Sequence, residues 1–82
     1  MSINKSKSGS KNLCGKKVAQ LRKSRVPELS QRELAERLRA TGIKIDEEAI
    51  EQIENGTRRV IDIEVLALSD VFGVWPDFLL ED

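Results

Sequence analysis

The sequence contains no histidine and a single cysteine, Cys14. With one thiol, no disulfide can form within the chain, and without histidine a Cys/His zinc cluster is excluded. The commonest general base is missing, and no nucleophile stands in a recognisable pairing with a base. No glycine-rich loop of the phosphate-cradling kind is present either. These absences argue against an enzyme, and no cofactor is expected. Cys14 reads as a small apolar residue near the start of the first helix.

Aromatic residues are scarce: one tryptophan, two phenylalanines and no tyrosine. The core is therefore expected to be aliphatic. No apolar run approaches the roughly 20 residues of a membrane span. The opening "MSINKSKSGSKN" carries basic residues without an apolar stretch behind them, so it does not read as a secretory signal. A soluble, cytoplasmic protein with no membrane partner is the expectation.

What remains is 82 residues, 39% of them hydrophobic, enough for one small domain. A chain of this size buries only about 60% of its unfolded surface, so its packing must be good. Net charge is zero but unevenly placed. Residues 1–25 carry eight basic side chains and no acid, while residues 26–82 carry six basic side chains and all fourteen acids. Such asymmetry points to an anionic partner for the front of the chain.

Residues 1–12, rich in Ser, Lys, Gly and Asn, read as a mobile basic arm. Residues 13–82 read as the folded domain. In "GKKVAQLRKSRV", Val18, Leu21, Arg22 and then Arg25 recur at helical spacing. Pro27 disfavours helix at Val26. "SQRE" has the form of a capping box, with Ser30 as N-cap and Glu33 three residues on. A second helix, "QRELAERLRA", follows with Leu34, Ala35 and Leu38 inward. Gly42 can take a left-handed conformation at its end.

Asp46 can cap a third helix over about 46–55, with Ala49, Ile50 and Ile53 inward and Gly56 as its stop. Asp62 starts a fourth through Phe72, with Val65, Leu68, Ser69 and Phe72 inward and Gly73 ending it. Pro76 suits the first turn of a short fifth helix, "PDFLL", in which Phe78 is the expected core residue. Five helices and no credible strand make an all-α fold.

Taken together, "SQRELAERL", "AIEQIENGTRR" and "VFGVWPDFLL" resemble the Cro/lambda-repressor-like helix-turn-helix family, also called the xenobiotic-response-element (XRE) type. The resemblance covers about Gly15 to Leu80. It implies a compact five-helix lambda-repressor-like DNA-binding domain. Helix three would be presented to the major groove of double-stranded DNA, and helix two would cross the backbone. Where the family often has a tight turn, this chain has the longer "RATGIKID". Ala35 is small enough to let helices two and three cross closely.

The resemblance also implies roles by position. Gln31 matches a residue that touches phosphate and braces the reading helix. Thr57, Arg58 and Arg59 match a loop that grips phosphate. Arg22 and Glu54 match a buried structural ion pair. Lys16 and Lys17, with Lys23 and Arg25, lie on elements flanking the groove and are further backbone candidates.

The leading positions of helix three depart from the family. Asp46, Glu47, Glu48 and Glu51 stand where relatives carry several neutral or basic residues. Asp46 has an N-cap role, and acids in a first turn favour the helix dipole, so helix stabilisation alone explains part of the cluster. On DNA, two like charges 4 Å apart repel by roughly 1 kcal/mol in water. Glutamate can, however, accept a hydrogen bond from the cytosine amino group. Glu47 and Glu48 are therefore base-reading candidates, with Gln52 placed to read adenine and Glu51 expected to face back toward the protein. Glu47 and Glu51 share a helix face, but that pair alone is a weak metal ligand set, and no metal is expected.

A sequence-specific transcriptional regulator is the leading expectation, of the size of a small phage-type repressor or the antitoxin of a toxin pair. It would act as a homodimer through the C-terminal helices, with Trp75 a candidate contact. The competing expectation is a protein-interaction module whose acidic helix-three face meets a basic protein partner.

Overall fold

The computed structural model describes the backbone of residues 3–80 and the side chains of residues 14–80. It contains five helices: α1 Ile3–Ser24, α2 Gln31–Ala40, α3 Glu47–Asn55, α4 Asp62–Phe72 and α5 Pro76–Leu80. Among the described residues there is no strand. No helix there is long and apolar enough to cross a membrane. The stretch read above as a mobile arm is helical from Ile3 on, within α1, and its side chains, with their basic groups, lie outside the described residues.

Local chemistry sets most of the helix ends. Ser30 is extended, its hydroxyl accepts from the Glu33 amide at 3.0 Å, and the Glu33 carboxylate accepts from the Ser30 amide at 2.9 Å. Those bonds satisfy two of the orphan donors at the start of α2, and they hold the Glu33 carboxyl below its ordinary pKa. Asp46 caps α3 through the Ala49 amide at 2.9 Å. Gly56 and Gly73 end α3 and α4 with φ of 83° and 69°, a region in which a Cβ is strained.

The core is aliphatic, as the composition requires. Val18, Leu34, Ile50, Ile53, Leu68 and Leu79 are fully buried, joined by Cys14, Ala35, Leu38, Ile45, Val65 and Phe72. Through them α1 packs on α3 and α5, α2 on α3 and α4, and α4 on α5. The radius of gyration is 12.0 Å, against about 12 Å for a compact chain of this length.

A close approach of α1 sets the position of α3: a Cβ at Gly15 would collide with the Ile53 carbonyl oxygen. Ala35 on α2 is buried.

The fifth helix corrects one expectation. Phe78 is 39% exposed, while its neighbour Leu79 is fully buried. A five-residue helix has too few turns for periodicity to say which residue faces inward. The approach of α1 decides it: Lys17 donates to the Phe78 carbonyl at 2.7 Å and places its ammonium 4.6 Å from the centre of the Phe78 ring.

Candidate nucleic-acid interface

The best-organised polar cluster joins the C-terminal flank of α3 to α1 and α2. Glu54 accepts from Arg22 Nε at 2.7 Å, from Arg22 Nη2 at 2.9 Å and from Gln31 Nε2 at 3.0 Å. The remaining terminal nitrogen of Arg22 donates to the Leu29 carbonyl at 3.1 Å. The Arg22 and Glu54 side chains keep only 11% and 9% of their surface exposed. The hydrogen bonds to Glu54 raise the guanidinium pKa, and they outweigh the opposing effect of burial. This is a two-pronged charge-assisted pair, the strongest common form of side-chain hydrogen bonding. Gln31 thus braces α3 through Glu54.

The side of α3 away from Ile50 and Ile53 is open. Glu47, Glu48, Glu51 and Asn55 are exposed, and Gln52 is half-buried. Glu51 therefore points outward, contrary to the expectation that it would turn toward the protein. None of the three glutamates makes an ion pair or a side-chain hydrogen bond among the described residues. The helix presents a ridge of exposed carboxylates, Glu47, Glu48 and Glu51, that continues at its C-terminal end into the clamped Glu54.

The loop after α3 holds the principal surprise. Arg58, expected to face phosphate, is turned inward onto Glu64, with nitrogen–oxygen distances of 3.0 and 2.9 Å. Glu64 is buried at the third position of α4 and also accepts from the Ile61 amide at 3.2 Å. Burial pushes the Glu64 carboxyl up, but hydrogen bonds from Arg58 and Ile61 and the Arg58 charge pull it further down, so its pKa lies below the ordinary value. Arg58 is thereby neutralised internally and fastens the loop to α4. The sequence reading missed Glu64 because an acid in a first helical turn is already explained by the helix dipole.

Other candidates divide. Thr57 is exposed, but its hydroxyl is held by Asn55 at 2.7 Å. Lys17 is committed to α5, as described above. Arg25 is drawn to the end of α4, donating to the Phe72 carbonyl at 2.7 Å with its guanidinium 5.3 Å from the Phe72 ring. Lys16, Lys23 and Arg59 are exposed and make no hydrogen bond or ion pair among the described residues.

Two further cations flank the start of α3. Arg39 and Lys44 line a shallow concavity with Ile45, Asp46 and Ala49, and Arg39 donates to the Ile45 carbonyl at 2.9 Å. Neither was singled out from the sequence, since both belong to an irregular connector or its edge. Exposed cations thus stand at both ends of α3: Arg39 and Lys44 before it, Arg59 after it.

Cys14 is buried beside α3, and burial raises its thiol pKa. That makes it unreactive as a nucleophile. Among the described residues no three His, Cys, Asp or Glu side chains converge as a metal site. No family model, curated protein or solved structure matches the chain.

Proposed function

We propose that the chain is a sequence-specific DNA-binding regulator of the Cro/lambda-repressor-like helix-turn-helix type, with α3 entering the major groove and α2 crossing the backbone. The observation that carries this reading is the mounting of α3. Its inner face packs into the core through Ile50 and Ile53, its flank is tied to α1 and α2 through Glu54, and its outer face lies exposed between exposed cations. A helix fixed from behind and bare in front is what groove insertion requires.

In this reading Glu47 and Glu48 accept hydrogen bonds from cytosine amino groups, and Gln52 reads adenine. Lys16, Arg59, Arg39 and Lys44 neutralise phosphates, while Gln31 and Thr57 add polar contacts to the backbone. The carboxylate ridge repels any duplex that does not offer it donors. The cost falls mostly on non-specific complexes, so binding is weak on random DNA and selective for the right operator.

Selection of bound sequences from a random duplex pool, followed by mobility shift across salt concentrations, tests this. The double variant Lys16→Ala, Arg59→Ala should bind the selected site more weakly. The slope of log affinity against log salt should fall by about 1.8, at about 0.9 per lost phosphate contact. Arg58 is unsuitable for this test, because its removal strands Glu64. Failure to enrich any sequence at low salt would exclude the proposal.

One observation favours a second reading. Glu47, Glu48 and Glu51 form an outward acidic ridge with no cation paired to it among the described residues. Such a ridge suits a basic protein partner, as in an antitoxin or adaptor. A basic protein that binds the chain and loses affinity with Glu47→Gln plus Glu48→Gln, with no duplex bound at any salt, would establish it.

A further inference from the structure

The C-terminal end of the chain is acidic as well as apolar. Residues 60–82 carry six acids and no base, and of these Glu64 is drawn inward onto Arg58. Leu66 is 58% exposed on the outer side of α4, and Trp75, just beyond the helix, is 82% exposed. Leu66, Asp70, Val74 and Trp75 line one shallow concavity there. It combines apolar side chains, an aromatic ring and one carboxylate, and no cation lines it.

Asp70 has no local reason to be acidic. It lies in the last turn of α4, where the helix dipole favours a cation and disfavours an acid. Among the described residues its carboxylate makes no ion pair and no hydrogen bond. We infer that this concavity binds a basic, amphipathic segment of a partner protein. An arginine or lysine of that segment lays its stem on Trp75 and sets its charged head on Asp70, while its apolar neighbours cover Leu66 and Val74. An indole face attracts a cation, and a long basic side chain buries its stem on apolar surface while its head keeps a polar partner.

The charges select this occupant over two others. A nucleic acid meets only acid here and is repelled. A second copy paired two-fold across Leu66 sets Asp62 against Asp70, since both lie four residues from the centre. Arg59 borders the opposite end of α4, with Ile61, Asp62 and Ile63. The partner's basic side chain therefore belongs at the Trp75 end, where Asp77 adds a further exposed acid. The site is separate from the acidic ridge of α3, and the inference does not depend on DNA binding.

Selection from a displayed library of random peptides tests this on the full chain. Peptides are first depleted on a Trp75→Ala chain and then captured on the wild type. Those retained should carry arginine or lysine beside leucine, isoleucine or phenylalanine. Trp75 is the only tryptophan and there is no tyrosine, so a bound peptide free of tryptophan should move its emission to shorter wavelength. Asp70→Asn should weaken such a peptide about twofold to fivefold, the range of an exposed ion pair. Leu66→Asp should weaken it about tenfold or more, as loss of a central apolar contact does. Val26→Asp, altering an exposed apolar residue of the loop after α1, should leave the affinity unchanged. A selection that retains no peptide, or peptides without an excess of basic residues, overturns the inference. So does an affinity unmoved by Asp70→Asn, or one lost with Glu47→Gln plus Glu48→Gln, which places the peptide on α3. A wild-type chain alone that doubles its 9.2 kDa mass in sedimentation at millimolar concentration, with the same emission shift, also overturns it, because a second copy then holds the face.

Discussion

Replacing Glu54 by alanine tests the clamp on the flank of α3. Three donors converge on its carboxylate, two from Arg22 and one from Gln31. After substitution, the mostly buried Arg22 guanidinium keeps only the Leu29 carbonyl as partner. Stranding one member of a buried pair costs about 3–5 kcal/mol. About a tenth of each side chain still reaches water, which favours the lower end, about 3 kcal/mol. A domain of this length has about 4–12 kcal/mol of stability in total. The loss is therefore a large share of it, and the melting temperature should fall by about 12–24 °C at about 4–8 °C per kcal/mol.

Urea denaturation followed by far-ultraviolet circular dichroism measures this change. The midpoint should move and the slope should not, because the folded state still buries the same surface. A second variant separates charge from packing. Arg22→Met with Glu54→Leu removes both members and leaves no stranded charge, so it should recover most of the lost stability. A loss below about 1 kcal/mol for Glu54→Ala is the value for a solvated surface pair. That result, or a double variant no better than the single one, would refute the claim that this cluster holds α3 in place.

Glu64 should make stability depend on pH in the acid range. Its carboxyl pKa is lowered in the folded chain, so the unfolded chain binds the proton more readily. The stabilisation is complete above the unfolded value near 4.5 and is lost as pH falls through the lower folded value. Glu64→Gln should flatten that part of the stability-against-pH curve, and an unchanged curve would count against the Arg58–Glu64 pair. Gly15→Ala forces a methyl group against the Ile53 carbonyl and should destabilise by about 1–3 kcal/mol, the usual cost of overpacking. A neutral Gly15→Ala in the same urea assay would mean that α1 and α3 can separate freely.

The sequence was most informative where structure is decided within a few residues. The Ser30–Glu33 capping box, the Asp46 cap, the glycines at 56 and 73 and the proline at 76 mark helix ends through bonds or dihedral limits confined to one turn. The bounds of α2 to α5 could accordingly be read along the chain. Most of the exposed front of α3 followed from periodicity, since Ala49, Ile50 and Ile53 claim the other side; Glu51 was expected to turn inward and is exposed. Glu64, Lys17 and Gly15 were read less well. Glu64 already had a local explanation as a helix-start acid, and the tie from Lys17 to Phe78 spans 61 residues. The contact that requires glycine at position 15 is made by the carbonyl of a distant helix.

The sequence by itself determined five helical segments, their caps and an aliphatic core, because backbone hydrogen bonding and side-chain period act locally. Only the tertiary structure decided which charges are used up inside and which are left exposed. It turned Arg58 onto Glu64, drew Lys17 to α5 and left Arg39, Lys44 and Arg59 around α3. The reason is physical: a cation and an acid pair according to distance and burial in three dimensions, and neither can be measured along the chain.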